Sequence, residues 1–108
     1  MLAISALSTQ YVQVQVNNTE GIDPTGDTVT FAFVGPYATT SQAAENPPTS
    51  LTTWYTGAWD AGTPYVARIL VGPVGGTATL TTGAYQVYVK VVDSPEVPVL
   101  FSGPMIVF

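Results

Sequence analysis

The stretch Leu80-Thr-Thr-Gly-Ala-Tyr-Gln-Val-Tyr-Val-Lys-Val91 constrains the fold of this chain more than any other. It alternates, so that Tyr85, Val87, Val89 and Val91 share one face while Ala84, Gln86, Tyr88 and Lys90 share the other. Period two in a run rich in β-branched and aromatic residues specifies a strand with one buried face. The spacing Leu80-x-x-Gly83-x-Tyr85 adds a second constraint. It has the form of a tyrosine corner, in which a tyrosine just inside a strand sends its hydroxyl back to the backbone upstream and pins a crossover between two sheets. Leu80, Gly83 and Tyr85 are therefore assigned to structure. The corner is read as rigid and as the part least suited to binding.

The rest of the chain follows the same period. Thr9 to Val16 turns Val12, Val14 and Val16 inward and Tyr11, Gln13 and Gln15 outward. Thr28 to Val34 sets Val29, Phe31 and Phe33 against an outer face of Thr28, Thr30 and Ala32. A third strand, Thr53 to Trp59, carries Trp54, Thr56 and Ala58 on one face and Tyr55, Gly57 and Trp59 on the other. Tyr65 to Val71 is apolar on both faces, which predicts a central or doubly covered strand. Thr77 to Thr81 is a short strand leading into the corner, and Val99 to Phe108 is the last strand. Gly103-Pro104 interrupts that last strand and predicts a bulge or an edge, since proline cannot donate to a ladder.

Turn formers cluster at 17–21, 23–27, 60–64 and 93–98. Residues 37–52 carry no strand pattern and form the most variable surface, with a helical turn over Ser41 to Glu45 that Ser41 would cap. Seven short strands, an aromatic third strand and the corner predict one all-β domain over residues 9–108. Its expected architecture is a seven-stranded antiparallel immunoglobulin/fibronectin-like β-sandwich. A small antiparallel barrel or a jelly roll is the rival. Residues 1–8 read as an apolar arm, either packed on the domain or docked on a neighbouring subunit.

Composition narrows the chemistry. The chain has no His and no Cys among its 108 residues. Catalysis by Ser–His–carboxylate or Cys–His is excluded, as are disulfides and thiolate metal sites. Paired carboxylates remain, but all seven acids lie outside strand interiors, so no enzyme, no catalytic residue and no cofactor is expected. Arg68 and Lys90 are the only cations against a net charge of −5. That balance argues against nucleic acid and against an anionic membrane surface. No apolar run approaches the ~18 residues that span a bilayer. The start lacks a basic n-region, so the chain is expected to be made and used without export. Charged residues are 8% of the chain against 46% hydrophobic, far below the roughly 25% charged that is usual. Either neutral polar groups keep the surface soluble or a partner covers part of it.

The candidate sites each have two readings. Glu20, Asp23 and Asp27, with Asp60, Asp93 and Glu96 in other turns, could supply oxygen ligands to calcium. Their spacing does not fit a calcium loop, and turn chemistry accounts for them. Trp54, Tyr55 and Trp59 are read as core, as a protein interface or as a sugar-stacking platform. Arg68 and Lys90 either lie on solvated outer faces or bridge to a neighbouring subunit. The apolar end, Pro104 to Phe108, is expected to pair within the sheet, the alternative being cover by a neighbouring chain. Candidate partner-contact residues are Leu2, Ile4, Leu7, Tyr37, Tyr55, Trp59, Arg68 and Phe108.

Several runs carry a family resemblance: Leu7 to Val12; Asp23-Pro-Thr-Gly-Asp-Thr-Val-Thr-Phe-Ala-Phe33; Trp54 to Trp59; Ala67 to Pro73; and Leu80 to Pro98. Together they resemble small immunoglobulin-like structural proteins of the head and neck of tailed bacteriophages, especially those of actinobacteria. The Asp-Pro-Thr-x-Asp-x-Val-x-Phe piece is also similar to immunoglobulin-like modules of baseplate proteins. The resemblance spans most of the chain outside 37–52 and carries no catalytic residues. It implies a virion component assembled in the host cytoplasm, with other virion proteins (capsid, connector or tail) and copies of itself as partners. An adhesion or carbohydrate-binding module is the alternative.

Overall fold

The computed structural model describes residues 2–16, 27–45, 48–49, 52–59, 66–92 and 99–108. Alternation builds the strands. β1 (Leu2–Ile4), β2 (Gln10–Gln15), β3 (Thr28–Tyr37), β4 (Tyr55–Thr56), β5 (Ala58–Trp59), β6 (Val66–Val71), β7 (Gly83–Val92) and β8 (Val99–Val107) form two sheets. One has the order β1-β8-β7-β3-β4 and the other β2-β6-β5. The chain is thus all-β, in two layers that share one apolar core. Val12 and Val16 of the β2 segment and Ala67, Ile69 and Val71 of β6 meet Val29, Phe31, Phe33, Tyr85, Val87, Val89, Val91, Met105 and Val107 from the larger sheet. The inward faces of β2, β3, β6 and β7 are those that period two selects. β6 is central in its sheet, as its two apolar faces predict.

The strands depart from the expected seven in three places. First, the apolar arm contains β1. It pairs in parallel with β8, Leu2 opposite Met105 and Ile4 opposite Val107, so the sheet is not wholly antiparallel. Second, the expected strand Thr53 to Trp59 is two strands in different sheets: β4 pairs with β3 and β5 pairs with β6. The chain crosses between layers at Gly57, where a Cβ would lie 2.6 Å from the Phe31 ring and 2.8 Å from the Arg68 carbonyl oxygen. Only glycine lets the backbone pass that close. Third, Thr77 to Thr81 makes a single bridge, Ala78 to Val71, and no strand.

Gly103-Pro104 behaves as a bulge. The register of β7 with β8 shifts between Val87 and Tyr88, whose partners are Gly103 and Phe101, which leaves Ser102 as the extra residue. Met105 and Val107 beyond it are buried, and the apolar C-terminal run pairs within the sheet.

In the 37–52 stretch, a short helix α1 (Thr40–Ala44) is capped two residues earlier than expected, by Thr39 and not Ser41. The Thr39 hydroxyl accepts from the Gln42 amide at 3.1 Å, while Gln42 Oε1 accepts from the Ala38 amide at 3.2 Å. Thr39-x-x-Gln42 is the residue pattern of a capping box. α1 packs on β3, β7 and β8. Ala32, Ala84 and Gln86, outward by alternation, are consequently buried together with Ala43 of the helix. Ala32 is therefore not on a solvated face. Gln86 fastens the cover, its Nε2 donating to the Thr40 carbonyl at 3.0 Å.

Candidate interaction surfaces

The corner joins the two sheets where the chain leaves β6 and enters β7. Tyr85 Oη donates to the Thr81 carbonyl oxygen at 2.7 Å, and its ring is buried in the core. Leu80 packs at the core edge. At Gly83, φ is +149° and a Cβ would lie 2.5 Å from the Pro36 Cβ, so the entrance to β7 and the exit of β3 are pressed together.

A pocket of about 400 Å³ opens at this same end. Its lining comes from the exit of β3 (Phe33 to Tyr37), from Thr52, Thr53 and Tyr55 before and in β4, and from Thr79, Leu80, Thr81 and Tyr85 of the corner. The corner is thus a pocket wall as well as a brace. No single stretch of sequence signals this, because the three segments meet only in the fold.

The residues expected at a partner interface separate into different environments. Ile4 is 3% exposed and belongs to the core, which corrects its reading as a contact residue. A three-residue strand is too short to reveal its buried side by alternation. Leu2 lies in β1 opposite Met105. Tyr55 and Trp59 are half-buried against the core. The Tyr55 and Phe33 ring centroids are 6.2 Å apart, and Trp59 Nε1 donates to the Asp27 carbonyl at 2.9 Å. Tyr37 is half-buried and lines the pocket. The Arg68 guanidinium lies over the Tyr11 ring, 4.7 Å from its centroid, across the outward face of the smaller sheet. Leu7 and Phe108 are 89% and 66% exposed. Backbone bonds Ala6 to Phe108 and Phe108 to Ile4 hold them at the corner end.

Neither tryptophan offers an open platform. Trp59 is tied to Asp27, and the Lys90 ammonium sits 4.3 Å from the Trp54 ring centroid. This cation–π contact places one of the two cations of the chain on the outward face of the larger sheet.

The opposite end carries a second exposed surface, on the last strand. Val99 is 48% exposed and Phe101 57%, with Val92 and Leu100 also exposed. Phe101 leans on Tyr88, ring centroids 5.3 Å apart. β1 pairs with β8 only from Met105 to Val107, so among the described residues the outer edge of Val99 to Gly103 has no partner strand. Beside it a groove of about 410 Å³ runs between Leu100, Phe101 and Ser102 of β8 and Gln13, Val14 and Gln15 of β2. The edge of β8 holds no charged residue, whereas natural edges are usually blunted by charge. The available signal was the absence of any polar residue from Val97 to Phe101.

Among the described residues no group of acids is placed to hold a metal ion, and no helix is long and apolar enough to cross a membrane. Of the candidate calcium ligands, Glu20, Asp23, Asp60, Asp93 and Glu96 lie outside the described residues, as do the turns at 17–21 and 60–64 and the loop at 93–98. No protein-family model, curated protein or solved structure matches the chain.

Proposed function

We propose that the chain is an immunoglobulin-like β-sandwich that serves as a structural component of a tailed-bacteriophage particle, on the capsid surface or at the head–tail junction. The architectural part is supported by the sheet orders β1-β8-β7-β3-β4 and β2-β6-β5 and by the tyrosine bond at the start of β7. The virion part is supported by the sequence resemblance and by a residue set without His or Cys. The observation that carries the docking role is the apolar edge of β8, which holds no charge and, among the described residues, has no partner strand from Val99 to Gly103. Such an edge is a template for a partner strand, with Val99 and Phe101 as side-chain anchors. Avidity in a symmetric assembly lets each copy bind through a modest area.

The test is quantitative mass spectrometry of purified particles of the phage that encodes the chain. Copy numbers matching the capsid lattice place the chain on the capsid surface, and a small closed ring places it at the junction. Association with tails or baseplates alone would move the assignment there. Full absence from particles, with a strictly monomeric protein in solution, would overturn the virion role.

A further inference from the structure

The pocket at the corner end is built differently from the apolar edge, and we propose that it is a binding site for a neutral saccharide. Its described lining contains no charged side chain. It contains four threonines (Thr52, Thr53, Thr79 and Thr81) and the rings of Tyr37, Tyr55 and Tyr85. A hydroxyl both donates and accepts, so Thr52, Thr79 and Thr81, whose hydroxyls also bond the Thr49 amide, the Gly72 carbonyl and the Tyr85 hydroxyl, keep capacity for a polyol, whose own groups do the same. The half-buried Tyr37 and Tyr55 rings supply apolar faces for the C–H face of a sugar ring, while Tyr85 is buried behind them. A volume of about 400 Å³ lies in the usual range of small-ligand sites.

The walls are already fixed. Tyr85 is bonded to Thr81, Leu80 is packed at the core edge and Tyr55 rests on Phe33, so binding orders few groups. An anionic ligand is disfavoured by the net charge of −5 and by the lack of any cation in the lining. Among the described residues the lining also holds no acid–base pair, so the proposal is one of binding. This moves any sugar recognition away from the tryptophans, which are engaged with Asp27 and Lys90, to Tyr37, Tyr55 and the threonines. The inference is independent of the virion role, because it uses the opposite end of the molecule.

The test is an amide-resolved NMR titration of the full chain with glucose, galactose, N-acetylglucosamine and short oligomers of each, at up to about 10 mM. Saturable shifts centred on Tyr37, Thr52, Thr53, Tyr55 and Thr79–Thr81 are expected with at least one probe. Tyr37→Ala should weaken that binding about tenfold or more. Thr53→Val, which preserves shape and touches only an exposed position, should weaken it less. The unperturbed remainder of each variant's spectrum reports that the fold is intact. No saturable shift with any probe would overturn the proposal. So would shifts centred on Trp54 or Phe101, or an undiminished affinity in both variants.

Discussion

The two ends of the sandwich solve opposite problems with similar residues. At the corner end, Tyr85 is buried, its hydroxyl is bonded, and Gly83 lets β7 press against Pro36. Aromatic and hydroxyl groups there are spent on fixing a crossover, and a preformed pocket results. At the far end, Phe101 and Val99 are exposed on an edge that has no partner strand among the described residues. Aromatic and aliphatic groups there stay exposed and stabilise the monomer little. Burial therefore separates the structural tyrosine from the exposed phenylalanine, although sequence presents both as strand aromatics.

The comparison breaks most visibly at Tyr85. Tyr85→Ala removes a buried ring and its hydrogen bond, and is expected to cost about 3–5 kcal/mol in urea unfolding. A cost below about 1.5 kcal/mol would mean that the corner is not the brace described. The next largest effect is expected at the layer crossing. Gly57→Ala forces a Cβ against the Phe31 ring and the Arg68 carbonyl, contacts of 2.6 and 2.8 Å that must open. About 2–3 kcal/mol of destabilisation should follow, seen as a lower Tm in thermal melts. Tyr85→Phe sharpens the picture further, because it keeps the ring and deletes only the 2.7 Å bond to Thr81. A loss of about 1 kcal/mol is expected by denaturant titration, since a single hydrogen bond is worth roughly that net. A neutral result would assign the whole effect of the corner to ring burial.

How much of this was legible in sequence depends on whether a segment has one buried face. Alternation named an inner face for β2, β3 and β7 and chose core residues there correctly, although α1 also packs on β3 and β7 and their outward Ala32, Ala84 and Gln86 are buried too. The corner was legible too, because its donor and acceptor lie four residues apart in one stretch. Three features escaped for physical reasons. Gly57 reads as an ordinary member of an alternating run, and only the close approach of Phe31 shows that the chain changes sheets there. Ala32 has the small, outward look of a solvated position, yet α1 returns over it from a stretch without strand pattern. The pocket joins segments from 33–37, 52–55 and 79–85, and no local pattern encodes their meeting. Ile4 was misjudged: an apolar residue in an arm reads as a contact, but β1 joins the sheet beside β8 and Ile4 is buried in the core.

The smallest stability effect is expected where the functional effect is greatest. Phe101→Ser removes an exposed ring whose recorded ring contact is Tyr88, so the free protein should change by no more than about 0.5 kcal/mol. If the edge of β8 is a docking template, the same substitution deletes an anchor at its centre. Incorporation into particles, read by mass spectrometry, should then fall by about tenfold or more. Gly103, which no Cβ would crowd, supplies the control. Gly103→Ala adds a methyl on the same edge without removing an anchor; its φ of +147° makes some strain unavoidable, so its stability is measured alongside. Loss of incorporation in Phe101→Ser with retained stability separates docking from folding. A stability loss of about 2 kcal/mol in that variant would instead return Phe101 to the core and leave the far end without an anchor.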